Sequence, residues 1–96
     1  MQTHRCYLNA ATEITCWVRD ASGRRDLSSP AVATVYVYPY GSTVEAFTIA
    51  AVTTSLGKIT FTVTAADADA YLTQAPYRFA VLWGAEQVYS GLLEAV

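Results

Sequence analysis

With 96 residues the chain has the length of one domain and too little for two independent cores; at this size roughly 60–65% of the unfolded chain's surface is buried on folding. Hydrophobic residues make up 53% of the chain and charged residues only 15%, against a usual charged share of about 25%, so some apolar surface is expected to be buried against partners. A net charge of −2 and a pI near 5.1 exclude the electrostatic footprint of a protein that binds nucleic acid or an acidic membrane.

Residues 1–6 lack a basic segment followed by an apolar core and a small-residue cleavage site, so no secretory signal is predicted. No apolar stretch approaches the roughly 20 residues that span a bilayer. The protein is therefore expected to be made in a cytoplasm and to stay soluble. Residues 3–8 and 11–19 read as a hairpin turning at Asn9-Ala10. That register sets Cys16 opposite Thr3 or His4 and leaves Cys6 and Cys16 without a bridge. A cytoplasmic origin also favours reduced thiols, and both cysteines are predicted to be small buried hydrophobes.

In Glu13-Ile14-Thr15-Cys16-Trp17-Val18-Arg19, the side chains of Ile14, Cys16 and Val18 share one face of a strand. Asp20-Ala21-Ser22-Gly23 ends it. The pair Arg24-Arg25, beside Asp20 and Asp26, reads as a solvated turn. Residues 31–38 are rich in β-branched and aromatic side chains and predict a third strand, closed by Pro39-Tyr40-Gly41-Ser42. Residues 45–50 predict a fourth. After the turn at Ser55-Leu56-Gly57 comes the clearest alternation in the chain, Lys58-Ile59-Thr60-Phe61-Thr62-Val63-Thr64. There Ile59, Phe61 and Val63 face one way and threonines face the other.

One segment breaks the period of two. Thr64-Ala65-Ala66-Asp67-Ala68-Asp69-Ala70-Tyr71-Leu72 is alanine-rich, and Thr64 with Asp67 resembles a capping box with Asp in place of Glu. Asp67 also suits the positive end of a helix dipole. This predicts a short helix over 65–72 that packs Tyr71 and Leu72 on the sandwich edge. Pro76 restarts the chain as a strand, with Tyr77, Phe79, Val81 and Trp83 on one face. Gly84-Ala85-Glu86 links it to a last strand over 87–96, inside which Gly91 is expected to accommodate an aromatic neighbour. About seven short strands and one helix define an all-β, antiparallel sandwich covering residues 1–96 as a single domain.

The run Val18-Arg19-Asp20-Ala21-Ser22-Gly23-Arg24-Arg25-Asp26-Leu27-Ser28 has an Asp-x-x-Gly strand ending and then an Asp-Leu-small step. Later come Gly57 to Thr64, the alanine-rich helix, Ala75-Pro76-Tyr77-Arg78-Phe79, and Val88-Tyr89-Ser90-Gly91 in the closing strand. This order resembles the immunoglobulin-like N-terminal domain of phage baseplate upper proteins and related small phage virion domains, over residues 10–96. Pro76 stands where that family has a glycine before the tyrosine. The resemblance implies an immunoglobulin-like β-sandwich of about seven strands, located in the virion after synthesis in the host cytoplasm. It implies other virion proteins (capsid, tail or baseplate) as partners and many copies in a symmetric assembly; from charge and hydropathy, neither nucleic acid nor membrane is expected as a partner.

Catalysis would need a nucleophile beside a base, or paired carboxylates in a cleft. His4 is the one histidine, and a strand would place it on the same face as Cys6. Nothing in the sequence orients that imidazole, so a Cys-His nucleophile is disfavoured. Asp67 and Asp69, two apart on a helix, diverge. One histidine and two scattered cysteines give no zinc spacing, and no glycine-rich phosphate loop occurs. The expectation is a non-enzyme with no catalytic, metal or cofactor-binding residues and no cofactor.

Two surfaces are the interface candidates. In residues 35–40 the two valines point one way and Tyr36, Tyr38 and Tyr40 the other, and tyrosines suit interfaces because they bury area yet keep a polar tip. Packing of the same tyrosines against the domain's own helix or loops is the alternative. The second surface is the threonine face carrying Thr60 and Thr62. The function expected is protein–protein docking on a phage particle, as a head decoration or cement protein or as a tail or baseplate adaptor. The alternative is a host-surface glycan- or receptor-binding module.

Overall fold

A computed structural model describes residues 2–7, 10–21, 23–39, 41–71 and 76–95. The elements in chain order are β1 (Gln2–Cys6), β2 (Thr12–Trp17), β3 (Arg19–Asp20), β4 (Gly23–Arg24), β5 (Val32–Pro39), β6 (Phe47–Thr53), β7 (Lys58–Val63), α1 (Ala65–Tyr71), β8 (Tyr77–Trp83) and β9 (Glu86–Ala95). Seven strands form one sheet in the order β1-β9-β8-β5-β6-β7-β2, and β3 and β4 form a two-residue hairpin of their own. The predicted all-β class with one short helix is what the chain adopts, and α1 covers most of the segment expected to be helical.

The sheet cannot lie flat. Seven flat strands at ~4.8 Å spacing would set the outer two about 29 Å apart. Those outer two, β1 and β2, are consecutive in the chain, and the segment from Cys6 to Thr12 reaches at most about 20 Å. The sheet therefore curls until its edges approach, in a nearly barrel-like form, and the Tyr7 amide reaches Thr12 Oγ1 at 3.1 Å across the connector. The ladder of this sheet is shortest between β6 and β7. Only two residue pairs join them, Val52 with Thr60 and Thr53 with Ile59, whereas β5 and β6 are paired from Val32–Val52 to Val37–Phe47.

Two expectations are corrected here. The segment 3–8 does not fold back on 11–19. Instead β1 pairs with β9, and in parallel rather than antiparallel fashion, with His4 beside Leu93 and Cys6 beside Ala95. β2 pairs with β7 alone, so Cys16 sits opposite Ile59. The physical reason is burial: beside β9, Cys6 becomes fully buried and His4 packs edge-on against Phe79 at 5.6 Å between ring centroids. The fourth strand is also displaced, running over Phe47–Thr53 instead of 45–50.

The core is the inner wall of this curled sheet. Ile14 and Cys16 of β2, Val35 and Val37 of β5, Ile59, Phe61 and Val63 of β7, and Phe79 and Val81 of β8 are all buried. Phe61 and Phe79 belong to strands three steps apart in the sheet, yet their rings meet edge-to-face at 5.5 Å. α1 follows β7 and closes one end with Ala68, which is fully buried. Thr64 Oγ1 caps the helix by accepting from the Asp67 amide at 3.2 Å, as the sequence predicts. The expected packing of Leu72 lies outside the described residues, as does the side chain of Tyr71.

The other end is closed by residues 25–31. Leu27 fills it, fully buried, and its amide donates to Thr54 O at 3.0 Å. Thr53 Oγ1 donates to Leu27 O at 2.5 Å, and the Trp83 indole donates to Pro30 O at 2.7 Å. The Arg25 guanidinium makes a two-pronged ion pair with Glu86 while lying over the Trp83 ring at 5.3 Å. Gly57 fixes this end to the β2 terminus. Its carbonyl accepts from the Val18 amide at 2.8 Å, its φ is +75°, and a Cβ there would collide with the Val18 and Arg25 carbonyl oxygens.

Gly84 provides a control, since its φ of +64° is similar but its surroundings are open. Gly84→Ala is expected to cost about 1 kcal/mol, the usual left-handed backbone penalty. Gly57→Ala adds a backbone collision and is expected to cost about 2 kcal/mol more. Urea unfolding of the two variants checks the difference.

Candidate protein-binding surface

The outward face of the sheet follows from the registers. On β5 the alternation that buries Ala33, Val35 and Val37 turns Thr34, Tyr36 and Tyr38 outward. Tyr36 lies between Thr48 of β6 and Ala80 of β8. Ala80, opposite Tyr36 in the register, is buried. Tyr38 is opposite Arg78, whose guanidinium carbon sits 4.3 Å from the ring centroid. Arg78 Nη2 also donates to Ser42 O at 3.4 Å. Tyr36 and Tyr38 are thus half-buried by their own sheet and keep one side open. Tyr40 lies outside the described residues.

The threonine surface lies on β7. Thr60 is half-buried between Thr15 of β2 and Val52 of β6, and Thr62 is exposed opposite Glu13. The tyrosine and threonine rows do not form one row. β6 separates them, and its pairing with β7 ends at Val52, so Val52 is the single bridge between them. Val52 is 61% exposed, and its partner on β5, Val32, is 60% exposed. This bare valine pair sits at the end of the outer face that also carries Thr34 and Tyr36.

The sequence pattern overlooked a second exposed feature. Trp17 is 44% exposed. The Arg24 guanidinium lies over its ring at 4.3 Å, and the Lys58 ammonium approaches at 6.0 Å. Its signal was present in the alternation, because Ile14, Cys16 and Val18 point in and Trp17 must then point out. Val52 lies beyond the strand expected over 45–50, in the part of β6 that extends to Thr53.

The inward side holds His4, Cys6 and Cys16. The Tyr89 hydroxyl is hydrogen-bonded with the Cys16 thiol and, at 3.2 Å, with His4 Nε2. Burial holds the His4 imidazole below its usual pKa, favouring the neutral ring. Burial pushes the thiols of Cys6 and Cys16 up to about 11 each. That is opposite to the shift that activates a cysteine nucleophile. Gly91 is buried opposite Phe79, whose ring is 5.9 Å from that of Tyr89, in line with the expected aromatic neighbour. Among the described residues no group of three or more His, Cys, Asp or Glu side chains could hold a metal ion, and no helix is long and apolar enough to cross a membrane. Asp67 and Asp69 both lie on α1, two positions apart.

No known protein family, curated protein or solved structure matches the chain.

The thiols give a pH signature. A thiol whose pKa is raised on folding stabilises the fold fully below the unfolded value and loses that contribution as pH rises to the folded value. Stability is expected to fall between pH 9 and about 11. Urea unfolding at the two limits, repeated on Cys6→Ala/Cys16→Ala, should show a clearly smaller loss in the variant.

Proposed function

We propose that this chain is a non-enzymatic structural protein of a bacteriophage virion, which docks on the particle through protein–protein contacts. Its station is the head shell, as a decoration or cement protein, or the tail or baseplate, as an adaptor. The proposal includes the immunoglobulin-like form of the fold. The two-pair junction between β6 and β7 supports that form, since it divides the curled sheet into a larger leaf, β1-β9-β8-β5-β6, and a smaller one, β7-β2. The Phe61–Phe79 contact between these leaves supports reading them as the facing layers of a sandwich.

The observation that carries the docking reading is the outer face of β5 and β6. Val32 and Val52 stand side by side in register and exposed, at the end of an outer face that continues along β5 through Thr34 to half-buried Tyr36 and Tyr38. A face that combines exposed apolar side chains with tyrosines suits a protein–protein contact. The phage assignment rests on the order of turns and strands from Val18 to Gly91. The raised thiol pKa values and the neutral imidazole support a role without nucleophilic chemistry.

A tagged copy expressed during infection should co-purify with virions and label discrete, repeated positions by negative-stain microscopy. Tyr36→Ser/Tyr38→Ser/Val52→Asp should fold yet reduce incorporation by about tenfold, which corresponds to ~1.4 kcal/mol of contact energy. Absence of the wild-type protein from purified virions would overturn the proposal. Binding of the isolated protein to cell-surface polysaccharide, lost in the same variant, would replace it with the glycan-binding reading.

A further inference from the structure

The charges of the chain are segregated along the strand axis. The registers put α1, the 41–46 loop and the starts of β2 and β8 at one end, and the β3–β4 hairpin, the start of β7 and the β8–β9 turn at the other. Every charged side chain belongs to a described residue. The α1 end carries five carboxylates, Glu13, Asp67 and Asp69 among them, against the guanidiniums of Arg5 and Arg78. The hairpin end carries four cations, Arg19, Arg24, Arg25 and Lys58, against three carboxylates. One end is thus net −3 and the other net +1, together the −2 of the whole chain.

The two poles also lie on the same side of the molecule. Trp17, with Arg24 and Lys58 around it, and Glu13 are on the outward face of one strand, β2. Glu13 is opposite Thr62, and α1 begins just beyond β7, so Asp67 and Glu13 share the far end of the β2–β7 ladder. A displacement along that ladder brings the cationic, aromatic end of one copy to the acidic end of the next. The contact is head-to-tail, between different patches on the two copies, and such contacts build rings or filaments.

We propose that the Trp17–Arg24–Lys58 surface docks the α1 end of a second copy of this chain, through Glu13 and Asp67. The exposed indole supplies apolar area, and the two cations supply the charge complement that sets orientation. A multicopy virion protein has use for such a contact, but the contact rests on this chain's own charge distribution and not on the virion assignment.

Sedimentation of the purified full chain tests it. At about 10 mM salt, where the Debye length is ~30 Å, the average mass should rise above the 10.4 kDa monomer as concentration increases. At about 1 M salt, where that length is ~3 Å, it should return to monomer. Arg24→Glu/Lys58→Glu and Glu13→Lys/Asp67→Lys should each stay monomeric at low salt, with circular dichroism confirming that they fold. An equimolar mixture of the two variants should associate again. A wild-type protein that is monomeric at every salt concentration would overturn the proposal without needing any variant. Association that survives either double substitution, or a mixture of folded variants that stays monomeric, would also overturn it. A monomer that is nonetheless incorporated into particles would overturn the self-association and leave the virion reading standing.

Discussion

The contact on which the rest of the fold depends is between Phe61 and Phe79. Their strands are separated by β5 and β6 in the sheet, so their rings meet only if the sheet bends back on itself. Two inward faces then share one interior, and alternate residues of every main strand escape water. Edge-to-face aromatic geometry adds about 0.5–1.5 kcal/mol to the burial that each ring supplies. Tyr89 and His4 extend the cluster from Phe79 toward β1, which ties the first strand to the last. The narrow β6–β7 junction is compatible with this arrangement, because two ladder pairs constrain the relative orientation of neighbouring strands less than a full ladder does.

Closing the ends is a separate task, and the chain uses different means at each. At one end a two-turn helix with a threonine cap buries a single alanine. At the other, residues 25–31 cross beneath the strands with Leu27 inserted, and backbone carbonyls there accept from Thr53 and Trp83. This leaves the outer wall free of structural duty. Its bare valine pair and its cation-flanked tryptophan point away from the inner packing, and they are the surfaces proposed for binding.

Much of this was legible because a period of two reports directly on which side chains share a face. Ile59, Phe61 and Val63, and Ile14, Cys16 and Val18, were readable as inward from alternation alone. The helix was readable from its composition and cap. Strand partnership was not, because alternation carries no information about neighbours: the segment around His4 reads equally well as half of a hairpin or as a strand parallel to β9. The proposed docking surface was only partly legible for a related reason. The tyrosine row lies within one strand, whereas Val32 with Val52, and Trp17 with Arg24 and Lys58, are assembled across strands.

The account is tested most directly by a double-mutant cycle between Phe61→Leu and Phe79→Leu, read by urea unfolding. A curled sheet closed by this ring contact predicts a coupling of about 0.5–1.5 kcal/mol, with each single substitution destabilising. Losses that add with no coupling would mean that the two rings do not meet, and would contradict the closure from which the core and the outer faces follow.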